Sequence, residues 1–303
     1  MSVVLTMAGL TLREAARRRV LRALGGLTVL LLGLSAWGFA ELSSVEVGGA
    51  GLTSGEARLA ASQVLNLVLF GYSLVAALGT AFLAGPTLAG EVESGAVLAV
   101  LARPVRRSTV LLGKWLGLVA FGAGFVVVAG FAQFVVVRAT VGYWPPAPVT
   151  GLALLAAETA VLLTLGLLLS AVISPMASGI VAVGLFGAAW VAGVVGGVGD
   201  ALGNAGVARV GTVSRMLLPT DGLWRGAMHA VQDPTALLAF SQGGQGAQAF
   251  PFLSTTSPSG LYLGWVAVWV LLLGGLAALA FGRRDLCPAR RDRGRSLPAR
   301  PPV

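Results

Sequence analysis

Long apolar runs alternate with short polar segments along this 303-residue chain. Apolar runs longer than about 18 residues are typical of helices that cross a bilayer, because backbone groups in lipid must be hydrogen-bonded within the segment. The pattern predicts spans at about 23–40, 62–89, 115–137, 149–172, 177–198 and 260–282. The short alternating strands of an outer-membrane barrel are absent. We therefore predict an all-α integral membrane protein with six transmembrane helices.

A basic segment precedes the first apolar run. Arg13, Arg17 and Arg22 recur at helical spacing, which predicts an amphipathic helix on the membrane surface. A cleaved signal peptide is the alternative, because the run ends in the small residues around Ala40. Signal peptides rarely extend to 40 residues, so we favour a retained span.

Two further segments lie outside the predicted spans. Residues 199–258 are mixed in composition and predict an extracytoplasmic segment with one helical piece near Leu223–Val231. Residues 283–303 are basic and rich in proline, which predicts a disordered tail.

The distribution of charge predicts the orientation of the chain. Only 11% of the residues are charged and 56% are hydrophobic, far from the composition of a soluble domain. Sixteen of the 21 Lys and Arg residues lie in the N-terminal segment, the 90–114 segment and the tail. The positive-inside rule therefore places both termini and residues 90–109 in the cytoplasm. The net charge of +9 then follows from topology, and we expect no nucleic-acid partner.

Several kinds of chemistry are excluded by the residues present. A single Cys287 and a single His229 cannot build a Cys/His zinc site, and no GxxxxGK[ST] phosphate loop occurs. Residues 197–200 match the GxGD signature of intramembrane aspartyl proteases. Such an enzyme needs a second intramembrane aspartate, and the other aspartates lie outside the predicted spans. We predict no catalytic, metal or cofactor site in this chain.

The 91–114 segment is the charged interval between the second and third spans. Glu91 and Glu93 lie where a helix dipole favours negative charge, and Pro104 ends the predicted helix. Arg106 and Arg107 follow at the headgroup level, and we expect Lys114 to snorkel from the start of the next span. An ordinary loop with helix caps is the alternative interpretation.

One ionisable residue lies inside a predicted span. Glu158 is about ten residues into the fourth span, where a carboxylate costs at least a few kcal/mol unless it is paired or faces water. The sequence leaves two interpretations open. Glu158 lies on a transport pathway or dimer axis, or it is a protonated carboxyl hydrogen-bonded to a neighbour such as Gln133.

The motif E-x-E-x-G-x(7)-R-P-V-x-R, followed by L-L-G-K, resembles the loop after the second span in permease subunits of type-2 ABC exporters. Within that family, the likeness is greatest to six-span subunits of the nitrous-oxide-reductase-maturation type or of the general ABC-2 permease type. Residues 217–225, LLPTDGLWR, also resemble a motif of that family before its last span. The order of elements agrees along the whole chain, whereas the specific motif covers about 25 residues.

The resemblance implies a division of labour. Two six-span subunits, identical or related, would form a pathway in a bacterial inner membrane, and separate ABC ATPase subunits would hold ATP and magnesium. The residues implied to couple with the ATPase are Glu91, Glu93, Gly95, Arg103, Pro104, Arg106, Arg107 and Lys114. The turn at Ser174 and Pro175 would make a second, smaller contact. A membrane scaffold that transmits ATPase-driven motion to an outer partner is the alternative function.

Overall fold

The structure is a computed structural model, and its helices account for nearly all of what it describes. The described residues are 3–17, 19–44, 46–47, 50–51, 54–87, 106–235, 238 and 251–283. The helices are α1 (Val3–Arg17), α2 (Arg19–Ser44), α3 (Ser54–Gly85), α4 (Arg107–Val141), α5 (Pro148–Val172), α6 (Pro175–Ala201), α7 (Ala205–Leu217), α8 (Thr220–Val231) and α9 (Gly260–Arg283). Two short antiparallel strands, β1 (Glu46–Val47) and β2 (Ala50–Gly51), lie between α2 and α3.

Six of the helices are long and apolar enough to cross a bilayer. The candidate spans are Arg22–Leu42, Ala60–Gly85, Arg107–Val141, Pro148–Val172, Pro175–Ala201 and Gly260–Arg283. The predicted fold class, an all-helical membrane protein with six spans, is confirmed. The third spanning helix, α4, begins eight residues earlier than the predicted span at 115–137, since Arg107 is already its first residue.

Helix α5 is the centre of the bundle. Most of its residues are buried, including the run from Val161 to Leu167. It packs against α3, α4, α6, α8 and α9. A helix that is apolar on every side is expected to be surrounded by other elements, and α5 fulfils this expectation.

The N-terminal helix α1 packs closely against the first half of α4. Two glycines of α4 make this approach possible. A Cβ atom on Gly113 would lie 2.6 Å from Cβ of Met7, and one on Gly117 would lie 2.6 Å from the carbonyl oxygen of Ala8. Small residues let helix backbones approach in this way. We call this end of the bundle the α1 end.

Helices α7 and α8 form a hairpin that enters the bundle from the opposite end. Gly199 and Gly196 of α6 lie against Ala208 and Gly211 of α7, so α7 runs inward along α6. Helix α8 then runs outward along the first half of α5, where Gly151 lies against Val231. The sequence predicted a single helical piece in this segment. Apolar residues do recur at helical spacing in α7, at Val210, Val213 and Leu217, and the sequence analysis missed this signal.

The tip of this hairpin, residues 217–220, lies well inside the bundle. Its contacts reach Trp269, nine residues from the start of α9 and therefore about 14 Å along that helix. The last carbonyl groups of α7 have no partner within their own helix. Trp265 Nε1 donates to the carbonyl oxygen of Met216 at 3.1 Å, and Trp269 Nε1 donates to that of Leu217 at 2.8 Å. Two of the last carbonyl groups of α7 are thereby bonded to side chains of α9.

The contact between α1 and α4 generates the first prediction. Gly117→Ala should lower the free energy of unfolding by about 1–3 kcal/mol, because the new methyl group overlaps the backbone of Ala8. Thermal unfolding of the purified chain in detergent measures this. Gly124→Ala on the same helix is the matched control, since a Cβ there meets nothing within 4 Å. Equal melting temperatures for the two variants would contradict the packing.

Candidate functional site

The predicted coupling residues divide into described and undescribed positions. Glu91, Glu93, Gly95, Arg103 and Pro104 lie outside the described residues. Arg106, Arg107 and Lys114 are described, as is the end of α3 on the other flank. We call residues 88–105 the coupling segment. The structure shows how the two flanks of this segment are bonded to the rest of the protein.

The first flank is fixed by side chains from two other helices. Lys114 Nζ of α4 donates to the carbonyl oxygen of Thr87 at 3.0 Å. Ser170 Oγ of α5 donates to the carbonyl oxygen of Gly85 at 2.6 Å. These carbonyl groups lie at the end of α3, where the helix leaves them without its own donors. The end of α3 is thus tied to both α4 and α5.

The expectation that Lys114 snorkels to the membrane surface is wrong. Its exposed fraction is only 6%, and it lies two turns inside α4 rather than at the start of a span. The prediction assumed that a helix starts beside Lys114 and that its side chain extends past this start to the headgroups. The helix starts at Arg107 instead, and Lys114 Nζ is bonded to the carbonyl oxygen of Thr87. It instead binds a helix end inside the protein.

The second flank is fixed to the last helix. Arg106 is exposed and immediately precedes α4, and Arg107 is the first residue of that helix. Arg107 Nη1 donates to the carbonyl oxygen of Gly282 at 2.9 Å. The exit of the coupling segment is therefore bonded to the end of α9.

The turn at Ser174 and Pro175 lies against the end of α3. Ser174 precedes α6, and Pro175 is the first residue of that helix. A Cβ atom on Gly85 would lie 2.6 Å from the carbonyl oxygen of Pro175 and 3.0 Å from Ser178 Oγ. The turn at Ser174 and Pro175 therefore meets the entry flank of the coupling segment at one end of the bundle.

Glu158 is buried at the contact between α5 and α3. Ser73 Oγ donates to Glu158 Oε1 at 2.7 Å, and only 1% of the residue is exposed. Gln133, suggested as the partner, is not in this bond. It accepts hydrogen bonds from Ser35 Oγ at 2.9 Å and from the Tyr72 hydroxyl at 3.2 Å. The two intramembrane polar residues thus bind neighbouring residues of α3 but form separate pairs.

A buried charge cluster at the hairpin tip was missed by the sequence analysis. Asp221 Oδ2 accepts from Arg215 Nε at 2.9 Å and from Arg225 Nε at 3.0 Å. Arg225 Nη2 also donates to the carbonyl oxygen of Gly193 at 2.9 Å. A Cβ atom on Gly193 would lie 2.2 Å from the carboxylate, so only glycine fits there.

The signal for this cluster was present in the chain. Asp221 and Arg225 belong to the LLPTDGLWR motif, but the segment was read as lying outside the spans, where charges need no partner. The carboxylate ties α7, α8 and α6 together. Asp200 of the GxGD match is exposed at the end of α6, whereas Asp221 is occupied by two arginines.

The junction between α4 and α5 also contacts the hairpin. The Tyr143 hydroxyl donates to the carbonyl oxygen of Val231 at 2.6 Å. Burial raises the pKa of Tyr143, and Asp233 raises it further, so the hydroxyl keeps its proton and stays a donor. In the described parts of the chain, no three His, Cys, Asp or Glu residues come together as metal ligands would.

The charge cluster generates the second prediction. Asp221→Asn should lower the free energy of unfolding by about 3–5 kcal/mol, because it leaves two partly buried guanidinium groups without a carboxylate. Thermal unfolding in detergent measures the change. Asp233→Asn is the matched control, because that carboxylate caps an exposed turn through Thr235. Unfolding of Asp221→Asn at the wild-type temperature would contradict the assigned role.

The comparisons with known proteins agree with this architecture. The family model described as "ABC-2 family transporter protein" matches residues 12–286, which is most of the chain. Comparison with curated proteins finds no match. The narrower likeness to nitrous-oxide-reductase-maturation permeases therefore stays a prediction. Over this length the match shows the family, and the chain belongs to the ABC-2 family of transporters as a multi-pass membrane permease.

Proposed function

We propose that this chain is the permease subunit of an ABC exporter and that a separate ATPase drives it through the coupling segment. The family to which it belongs implies an ABC ATPase partner and a membrane. The observation that carries the proposal is the bond from Lys114 Nζ to the carbonyl oxygen of Thr87, which joins the two flanks of that segment. Because α3 and α4 are bonded to each other at this point, a force on the segment would move both helices together.

The anchors of both flanks support this mechanism. Ser170 ties the end of α3 to the central helix α5, and Arg107 ties the start of α4 to the end of α9. A displacement of the coupling segment therefore acts on four spanning helices together. Pro175 packs against the same point on α3, which provides a second surface for the ATPase beside the first.

The orientation of the chain follows from its charges. The α1 end would face the cytoplasm of a bacterial cell, since the segments that carry most of the Lys and Arg residues adjoin helix ends there. The hairpin of α7 and α8 would then enter the membrane from the outer side. The subunit would act as a dimer, with an identical or a related second copy.

The cargo we propose is apolar or amphiphilic. The spanning helices consist mainly of Ala, Val, Leu and Gly, and several of their buried polar side chains are bonded to one another. Ser73 is bonded to Glu158, and Ser35 and Tyr72 are bonded to Gln133. In this arrangement Glu158 is a packing residue between α3 and α5 and does not mark a hydrophilic route.

The proposal generates the third prediction. When the tagged chain is purified from the cell that makes it, an ABC ATPase should accompany it in about equal amount. Glu91→Gln and Gly95→Leu should reduce the recovered ATPase more than about tenfold, because interface contacts of this kind contribute about 2–5 kcal/mol. The amount of chain in the membrane should not change. Quantitative mass spectrometry of the purified complex measures both.

The matched control is Glu41→Gln, the same change at the opposite end of the bundle. It should leave the recovered ATPase at the wild-type level. The proposal would be refuted if no ATPase accompanied the chain. Equal recovery from the Glu91, Gly95 and Glu41 variants would remove the assignment of the coupling segment. A recovered ATPase with an outer partner and no transport would favour the scaffold function.

A further inference from the structure

A groove of about 310 Å³ opens on the side of the bundle between α4, α5 and α9. Leu111 and Trp115 of α4, Leu167 of α5 and Leu271 of α9 are among the residues that line it. It begins at Ser108 at the α1 end and continues about two turns along α4, roughly 10 Å. The groove faces the lipid side of the bundle and does not overlap the polar pairs described above.

Two adjacent glycines make this surface concave. Gly274 and Gly275 of α9 both line the groove, and a Cβ atom on either would meet nothing within 4 Å. Contacts among the described residues therefore do not require a glycine at either position. Their effect is to leave open space against α4, and any side chain at these positions would reduce it.

Beyond Ser108 at the mouth, the polar side chains in the wall are bonded to the protein. Trp115 Nε1 donates to Thr164 Oγ1 at 2.8 Å, and Thr164 Oγ1 donates to the carbonyl oxygen of Ala160 at 2.7 Å. An occupant of the groove therefore needs no polar group along its length. A hydrocarbon chain has this chemistry.

The mouth of the groove is basic. Arg107 precedes Ser108 and is bonded to the carbonyl oxygen of Gly282, so its guanidinium group lies at the end of α9. Arg283 is the last residue of α9, and Arg106 immediately precedes α4. Arg106 and Arg283 are exposed, and within the described ranges neither side chain takes part in a hydrogen bond or ion pair. Three basic residues thus lie at the start of α4 and the end of α9, the two helix ends beside which the groove opens.

We propose that the groove holds an acyl chain of an anionic phospholipid from the leaflet at the α1 end, with its phosphate among Arg106, Arg107 and Arg283. The hydrophobic effect does not select a lipid here, because the rest of the bilayer is equally apolar. Selection comes from charge, and each arginine near the headgroup favours an anionic lipid about fivefold.

A second copy of this chain is a poorer occupant of the same groove. A two-fold symmetric dimer brings the same patch of both copies together. The basic mouths of the two grooves would then face each other, and the described residues around them offer no carboxylate to separate the charges. An anionic lipid carries a charge opposite to that of the basic mouth, and this proposal requires neither the ATPase nor transport.

Native mass spectrometry of the purified full chain in detergent tests this, with dioleoyl phosphatidylglycerol and dioleoyl phosphatidylcholine as probes. The wild type should retain one phosphatidylglycerol per chain in preference to phosphatidylcholine. Arg283→Gln should weaken retention of phosphatidylglycerol about fivefold and leave phosphatidylcholine unchanged. Gly274→Leu should abolish retention by filling the groove, and Gly275→Leu is a second variant of the same kind.

The matched control is Gly264→Leu on the same helix, where a Cβ also meets nothing within 4 Å but the position lies outside the groove. It should retain phosphatidylglycerol as the wild type does. Equal retention of the two lipids by the wild type would overturn the proposal, as would undiminished retention in both glycine variants. Equal binding of glycerol phosphate without acyl chains would also overturn it. Loss of a dimer in Gly274→Leu with lipid retention unchanged would assign the groove to a second copy.

Discussion

A peptide group inside a bilayer has no water to bind, so every helix end that lies within the bundle needs a donor or acceptor from elsewhere in the protein. The described structure meets this constraint with side chains from other helices. Trp265 and Trp269 of α9 serve the end of α7, which allows the hairpin tip to lie deep in the bundle. Ser170 and Lys114 serve the end of α3 in the same way.

These caps also determine which parts of the molecule move together. A helix end that is bonded to a neighbouring helix cannot shift without that neighbour. The coupling segment joins two helix ends of this kind. Its entry, the end of α3, is held by α4 and α5, and its exit is held by the bond from Arg107 to the end of α9. Inside the bundle, Asp221 joins the tip of the hairpin to α6 through Arg225 and Gly193. The structure is thus suited to move as connected helices rather than as separate loops.

The fold class could be predicted from the sequence because six apolar runs exceed the length that a bilayer requires. The caps could not be predicted, because each donor is far from its acceptor along the chain. Ser170 and Gly85 are 85 residues apart, and Trp269 and Leu217 are 52 apart. The role of Asp221 was missed for a related reason: a polar segment between spans was taken to be solvated, whereas the hairpin carries its charges back into the protein.

The claim that Lys114 transmits force from the coupling segment is tested most directly by thiol labelling. A single cysteine replaces Ser214, which lines the cavity between α6 and α7, in a chain with Cys287→Ser that is purified with its ATPase. ATP should change the labelling rate when Lys114 is present. In Lys114→Met at equal ATPase content, the rate should no longer respond to ATP. An equal response of both proteins to ATP would contradict the account.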